Sequence, residues 1–168
     1  LSIQGPKSGD LLESISNFGT DPETNFPFST HKKIKINDKE VDAIRLTFVG
    51  ELGWELHIKY QDMKDIYETI IKKGSCFGIK NAGYRAIDSM SVEKKYHHWH
   101  EDLTLTDTPH EAGIGFVCKL NKDFIGRNAI IEQKKNGLIR KLLFFTCNIP
   151  LNGQEPIYKD GNIVGFVC

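Results

Sequence analysis

Hydrophobic and polar residues alternate in several short segments of the first third of the chain. Residues 1–4 form a short strand candidate, and residues 32–36 and 41–48 have strand-like composition. An Asn-Asp pair at 37–38 separates the latter two segments and is typical of a tight hairpin turn. Apolar and polar side chains alternate again in residues 54–58, which is the period of a strand with one apolar face. The pattern therefore predicts antiparallel strands joined by hairpins.

Helical spacing of apolar residues marks four other segments. They are residues 7–16, 63–74, 81–95 and 126–136. Gly74 is expected to end the second helix, and Asn81 is placed to cap the third. The buried stripe of the third helix would consist of Ala82, Ala86, Ile87 and Met90.

The remaining segments are predicted to be loops and further strands. Residues 17–30 and 101–112 are polar and rich in turn-forming residues, whereas residues 114–120 and 142–146 have strand composition. Residues 158–163 contain an Asp-Gly turn of the kind found in hairpins. Because helices and strands are intermixed and the hairpins are antiparallel, the predicted fold class is α+β, with helices packed on the hairpins.

The character of the sequence changes near residue 137, where helical patterns give way to strand-like ones. We predict that residues 1–136 belong to one α+β domain whose N-terminal part is missing. Residues 137–168 would begin an all-β, barrel-like module. The chain opens without a methionine and stops inside the apolar run 163–168, so we expect it to be a fragment.

Composition argues against several classes of protein. Lysine plus arginine and aspartate plus glutamate both number 22, so the chain lacks the basic excess that a nucleic-acid binder needs. No apolar run approaches the roughly 20 residues that span a bilayer. The 4 cysteines contain no C-x-x-C pair, which speaks against a zinc site or a disulfide scaffold. We expect buried or incidental thiols in a reducing compartment.

The sharpest candidate for a binding site is the sequence GELGWE at residues 50–55. Its two glycines, Gly50 and Gly53, allow a tight turn between strands, after which Glu55 projects on the face opposite Trp54. A carboxylate there would accept two hydrogen bonds from a planar donor pair, such as the ring N–H and amino group of a pterin. On pattern alone, a β-turn followed by a solvent-facing glutamate explains the same residues.

Two other groups of polar residues invite a functional interpretation. Tyr84, Arg85, Asp88 and Glu93 lie on the predicted third helix, where Arg85 and Asp88 are spaced for an ordinary ion pair across one turn. Three histidines occur within residues 97–100, but their spacing does not suit a tetrahedral metal site. We therefore expect no metal and favour aromatic packing beside a ligand cleft.

Common catalytic and dinucleotide motifs are absent from the sequence. It contains neither the G-x-G-x-x-G pattern of dinucleotide-binding folds nor the G-x-S-x-G pattern of a serine nucleophile. The chain itself therefore offers no visible means of holding a flavin or a nicotinamide.

Several segments together make the chain resemble the sarcosine dehydrogenase family. These segments are FPFSTHK at 26–32, RLTFVGELGWELH at 45–57, AGYRAIDS at 82–89, HWH at 98–100 and EAG at 111–113. Two more are similar across the wider aminomethyltransferase (glycine-cleavage T-protein) superfamily. They are QGP at 4–6 and FIGR at 124–127.

The resemblance implies the aminomethyltransferase folate-binding fold and a defined chemistry. In this family an N-terminal flavin domain with FAD oxidises the N-methyl group of sarcosine. The iminium, or the formaldehyde formed from it, is then captured on tetrahydrofolate as 5,10-methylenetetrahydrofolate, and glycine is the other product. The animal enzymes lie in the mitochondrial matrix and pass electrons to electron-transfer flavoprotein. The resemblance implies no nucleic-acid partner and no membrane-spanning segment.

The resemblance also implies which residues handle folate. Glu55 matches the family glutamate that pairs with the pterin, and Gly53, Trp54, Tyr84, Arg85 and Glu93 are the other folate-binding candidates. In the glycine-cleavage branch an arginine precedes the aspartate of the helix motif, whereas Ile87 precedes Asp88 here. The family's catalytic aspartate lies upstream of this chain, so no catalytic residue is assigned in it.

Two alternative functions stay open. A free-standing aminomethyltransferase would need an aminomethyl-lipoyl carrier protein, and the sarcosine-type middle segments weigh against it. A non-catalytic regulatory relative, like the pyruvate dehydrogenase phosphatase regulatory subunit, would resemble the family without turnover.

Overall fold

The computed structural model describes residues 1–17, 19, 21 and 24–168. By their internal contacts these residues form two compact units, 1–96 and 97–168. Part of the predicted loop at 17–30 lies outside the described residues. The mixture of antiparallel strands and helices confirms the predicted α+β class.

A four-stranded antiparallel sheet forms the centre of the first unit. Its strands are β1 (Ser2–Gln4), β2 (His31–Ile36), β3 (Lys39–Ile44) and β4 (Gly53–His57), arranged in the order β1-β4-β3-β2. The hairpin between β2 and β3 turns at Asn37 and Asp38, whose φ angles of 49° and 61° are left-handed. Asn and Asp tolerate that region better than most residues, and this explains why the predicted turn forms here.

Two helices cover one face of this sheet. They are α1 (Ser8–Ile15) and α2 (Met63–Gly74), and both were predicted. The helices and the sheet share one buried cluster, because the apolar residues recur with the period of each element. Its members are Ile3, Leu11, Leu12, Phe26, Ile34, Ile36, Val41, Ala43, Trp54, Leu56, Ile66 and Ile70.

The third helix differs from its prediction at both its start and its packing. Helix α3 spans Tyr84–Glu93, and Gly83 rather than Asn81 occupies its N-cap position. The amide of Asn81 instead donates to the hydroxyl of Tyr67 at 2.8 Å. The predicted buried stripe is wrong, since no residue of α3 is buried.

The second unit is built from α4 (Arg127–Asn136) and a hairpin of β5 (Pro156–Lys159) and β6 (Asn162–Phe166). Asp160 and Gly161 form the predicted turn, with φ angles of 51° and 80°. The strands expected at 114–120 and 142–146 do not form. Residues 115–117 form a short 3₁₀ turn, and 141–147 are irregular. Strand composition yields a strand only where a neighbouring backbone completes the hydrogen-bond ladder.

Candidate functional site

The glycine turn at residues 50–53 is held against β1, α1 and the end of α3. The backbone N–H of Gly5 and the hydroxyl of Ser8 both donate to the carbonyl of Leu52, at 2.8 and 2.9 Å. Gly50 has a φ of +68°, and a Cβ there would lie 2.7 Å from Cγ of Lys94. The turn therefore requires glycine at position 50 for both its backbone angle and its packing.

Gly53 is required for a different reason. A Cβ on Gly53 would lie 2.9 Å from Cγ of Gln4 and 3.0 Å from the carbonyl oxygen of Ile3. Strand β1 thus approaches β4 more closely than a side chain would permit. This close pairing fixes the start of β4, the strand that carries Glu55.

A buried arginine lies beside the same turn, on the core side of the sheet. Arg45 is 8% exposed, its Nη1 donates to the carbonyl of Gly53 at 3.1 Å, and its guanidinium lies 4.9 Å from the ring centroid of Trp54. Burial lowers the pKa of Arg45 from its usual value. Among the described atoms, Nε of Arg45 and Nε1 of Trp54 are buried without a hydrogen-bond partner.

Trp54 and Glu55 project from opposite faces of β4, as predicted. The Trp54 ring is fully buried and meets Phe26 edge-on at 6.0 Å. Any contribution of Trp54 to a ligand on the Glu55 side would therefore pass through its backbone. Glu55 pairs in register with Ser2 of β1 and Ile44 of β3, on the face away from the core helices.

We call this side of the sheet the polar face. Its members are Ser2, His31, Lys33, Lys35, Glu40, Asp42, Ile44, Glu55 and His57. The Glu55 side chain is 23% exposed, and its Oε2 lies 3.5 Å from Nε2 of His57. Glu55 is thus a partly shielded carboxylate that solvent still reaches, and it keeps acceptor capacity for an incoming donor.

The C-terminal end of α3 is tied to the glycine turn. The hydroxyl of Ser91 donates to the carbonyl of Phe48 at 2.6 Å, and Nζ of Lys94 lies 2.8 Å from the carboxylate of Glu51. This hydrogen bond to Glu51 raises the pKa of Lys94. Glu93 therefore lies at the helix end that contacts the turn.

The other helix candidates lie at the opposite end of α3. Tyr84 is 83% exposed and Arg85 is also exposed. With a rise of about 1.5 Å per residue, Tyr84 lies about 10 Å along the helix from Ser91. Within the part of the chain that the structure describes, Arg85 forms no ion pair with Asp88.

The sequence patterns missed Arg45 and His57 as neighbours of the site. Arg45 follows Val41 and Ala43 with the period of the core face of the predicted strand 41–48, but arginine is rarely buried, so the residue type argued against a core position. The i, i+2 spacing of Glu55 and His57 on one strand was visible in the sequence and places both on the same face. An open depression of about 430 Å³ adjoins His57, and none of the predicted folate residues lines it.

The structure also bears on the predictions about metal binding, the histidines, the cysteines and membrane spans. Within the described ranges, no three His, Cys, Asp or Glu side chains gather in a way that could hold a metal ion. His97 stacks on Phe144, with ring centroids 5.3 Å apart. Of the free cysteines, Cys118 is half-buried and the other three are exposed, so none is a core thiol. No described helix combines the length and apolarity needed to cross a membrane.

The second unit contains an ion-pair network that the sequence patterns did not reveal. Arg140 bridges Asp107 at 2.9 Å and Glu111 at 3.3 Å. Hydrogen bonds from the backbone N–H and then the hydroxyl of Thr104 lower the pKa of Asp107, and Thr108 lowers the pKa of Glu111 in the same way. The network fixes the loop at 104–111 to residue 140.

The glycine turn, β4 and α3 all lie within residues 1–122, the part of the chain that matches the GCVT N-terminal domain family. The chain belongs to this family.

Comparison with individual members of the family shows how similar the chain is to each of them. Over 99% of its length the chain is 46% identical to mitochondrial sarcosine dehydrogenase of Mus musculus. It is 33% identical to mitochondrial dimethylglycine dehydrogenase of Rattus norvegicus, over 98% of its length, and 34% identical to an aminomethyltransferase of Clostridium botulinum (strain Okra / Type B1), over 99%. The predicted resemblance to sarcosine dehydrogenases is confirmed. The matched region is 18% of the first relative, 20% of the second and 46% of the third.

Proposed function

We propose that this chain is the folate-binding portion of a sarcosine dehydrogenase-like flavoenzyme. Its task would be to bind tetrahydrofolate so that the one-carbon unit from oxidative demethylation of sarcosine is captured as 5,10-methylenetetrahydrofolate, with glycine as the other product. The identity is 46% with the mouse sarcosine dehydrogenase and 33% with the rat dimethylglycine dehydrogenase, and this difference favours sarcosine as the substrate. By the same kinship we propose a location in the mitochondrial matrix.

The position of Glu55 is the observation that carries the proposal. The carboxylate is 23% exposed on the polar face, at the end of a turn that two glycines and Arg45 hold in place. A carboxylate held in this way presents two oxygens to a flat heterocycle with adjacent N–H donors. The residues present therefore fit a pterin ring at this point.

The other folate candidates would act around this anchor. Gly53 lets the backbones of β1 and β4 approach, and Glu93 lies at the helix end that contacts the glycine turn. Tyr84 and Arg85 offer an exposed aromatic ring and an exposed guanidinium for the more distant parts of a folate. FAD would supply the oxidation on another part of a longer protein, with electron-transfer flavoprotein as its electron acceptor.

We also propose the division of the chain at residues 136 and 137. The end of α4 at Asn136 and the change to strand-like sequence after it support this boundary, whereas the units defined by internal contacts divide at residues 96 and 97. The β5–β6 hairpin would then belong to an all-β module.

The proposal predicts that Glu55→Gln weakens binding of 5-formyltetrahydrofolate by roughly 2–4 kcal/mol, which is about 30- to 900-fold in Kd. The substitution keeps the size of the side chain but removes the charge that a donor pair requires. Isothermal titration calorimetry measures the effect directly.

Glu40→Gln is the matched control. Glu40 is an exposed carboxylate on the same face of the sheet, and its Oε1 lies 2.7 Å from Nζ of Lys33. Its substitution is expected to leave the affinity unchanged. Equal affinities of the Glu55→Gln variant and the unsubstituted chain would refute the assignment.

The similarity to aminomethyltransferases supports a second candidate function. A free-standing aminomethyltransferase would transfer its one-carbon unit from a lipoyl carrier, and a regulatory relative would have no turnover. The coding sequence upstream of this chain distinguishes the aminomethyltransferase from the proposed function, because a flavin fingerprint is expected in a dehydrogenase and absent from a free-standing aminomethyltransferase. The regulatory relative should retain a likeness to the flavin domain. An assay for sarcosine-dependent electron transfer by the complete protein distinguishes the regulatory relative.

A further inference from the structure

His57 lies close enough to Glu55 to influence what its carboxylate can bind. The two residues are i and i+2 on β4, and Nε2 of His57 is 3.5 Å from Oε2 of Glu55. The His57 side chain is 60% exposed, so solvent reaches its ring. The pair thus combines a titratable ring with the proposed ligand anchor.

Among the described residues, Glu55 is the carboxylate that lies within ion-pair distance of His57. Asp42 lies directly across from His57 on β3, but its Oδ1 is already 2.7 Å from Nε2 of His31. Lys33 of β2 is in register with Asp42, so Asp42 lies between Lys33 and His57 across the strands.

Two more cationic groups lie near the end of β4. Lys59 and Leu1 line the depression that His57 also lines, and the α-amino group of Leu1 donates to the carbonyl of Leu56 at 2.9 Å. Neither forms an ion pair with Glu55 in the described part of the chain. The imidazole of His57 is therefore the group whose charge state acts most directly on Glu55.

We propose that His57 is a positioning residue that sets the availability of Glu55 for folate, an inference that rests on the proposed function above. A neutral imidazole leaves both oxygens of Glu55 free to accept the two donors of a pterin. An imidazolium attracts Oε2 and holds it toward His57, so that one oxygen remains for the ligand. Folate binding at Glu55 is thus coupled to the release of a proton from His57.

The coupling gives the affinity a pH dependence of defined sign. Histidine ordinarily changes charge between roughly pH 5 and 8. Binding of 5-formyltetrahydrofolate to the full chain should weaken about five- to tenfold on going from about pH 8 to about pH 5.5, a modest change because the pair is partly exposed. Calorimetry at several pH values measures this change.

Substitution of each histidine of the polar face identifies the responsible ring. His57→Gln should bind within about twofold of the unsubstituted chain at about pH 8, and its affinity should stay nearly constant on acidification. His31→Gln is the matched control, since His31 has a similar exposure and a carboxylate partner of its own. That variant should keep the full pH dependence.

The failure of this inference differs from the failure of the proposed function. If His57→Gln retains the pH dependence while Glu55→Gln abolishes binding, His57 has no positioning role and the folate site stands. If the unsubstituted chain does not bind the folate at any pH, both are overturned.

A measurement without ligand tests the contact itself. The ¹³C shift of the Glu55 side-chain carboxyl should change in step with protonation of the His57 ring, and this change should vanish in His57→Gln. Independent titration of the two groups would contradict the proposal.

Discussion

Trp54 and Glu55 are adjacent in sequence and have opposite environments. The Trp54 ring is fully buried between Phe26 and Arg45, while the Glu55 carboxylate remains accessible on the polar face. Strand alternation produces this separation, since successive side chains point to opposite faces of a sheet. One residue anchors the strand in the core, and the next can present its charge to a ligand.

The close approach at Gly53 leads to a prediction about stability. Gly53→Ala would force a methyl group against the Gln4 side chain and the Ile3 backbone, so β1 must shift away from β4. We expect a loss of about 1–3 kcal/mol in the free energy of unfolding, as for other overpacked sites. Urea denaturation of the variant and the unsubstituted chain measures it.

Gly165→Ala provides the comparison. Its added methyl group would meet Cδ1 of Ile157 at 3.9 Å, an ordinary van der Waals distance. Its effect should stay within about 0.5 kcal/mol. Equal effects of the two substitutions would show that the approach of β1 to Gly53 is not tight.

At this scale the sequence predicted the orientation of Glu55 but not its surroundings. Alternation along β4 is a local property, so it can be derived from the residues alone. The stacking of Arg45 on Trp54 and its bond to the Gly53 carbonyl depend on how β3 and β4 pair. A buried cation also contradicts the usual preference of arginine for the surface.

At the level of elements, local sequence patterns correctly predicted the turns and helices whose hydrogen bonds join residues close in sequence. The turn at Asn37 and Asp38, the two helices of the core and the Asp-Gly turn of the second hairpin all form as predicted. Helix α3 also forms, but its packing was mispredicted because an apolar stripe is buried only if another element covers it. The absent strands at 114–120 and 142–146 have the same explanation, since a strand needs a partner.

The network around Arg140 predicts a response to acid. Both carboxylates have lowered pKa values, so their contribution to stability is present above the ordinary values of about 3.9 and 4.3 and is lost as the pH falls through the lowered ones. The amide protons of Thr104 and Thr108 donate to Asp107 and Glu111 at 2.8 and 3.0 Å. As the pH falls, the chemical shifts of these two amide protons should move upfield. The midpoints of the two transitions should lie below the ordinary pKa values of the carboxyl groups.

Asp107→Asn separates the two halves of this network. The variant should abolish the titration of the Thr104 amide and preserve that of Thr108, which NMR spectra recorded against pH would reveal. Midpoints at or above the ordinary pKa values would mean that the loop at 104–111 is not held by these bonds in solution.

At the scale of the molecule, the two units differ in how much they bury. The first unit contains nearly all of the buried apolar residues. Among residues 97–168, all of which the structure describes, Ala112 alone is a buried apolar residue. Periodicity cannot reveal this difference, because it indicates which residues share a face and not whether that face is covered.

Mapping of the ligand contacts tests the central claim most directly. Addition of 5-formyltetrahydrofolate to the ¹⁵N-labelled chain should shift the backbone amide signals of Gly53 and Glu55, and those of Lys35 and Glu40 at the other end of the sheet should stay unchanged. The shifts at Gly53 and Glu55 should disappear in Glu55→Gln. Shifts confined to Lys59 and the other residues that line the open depression, with Glu55 unaffected, would contradict the account.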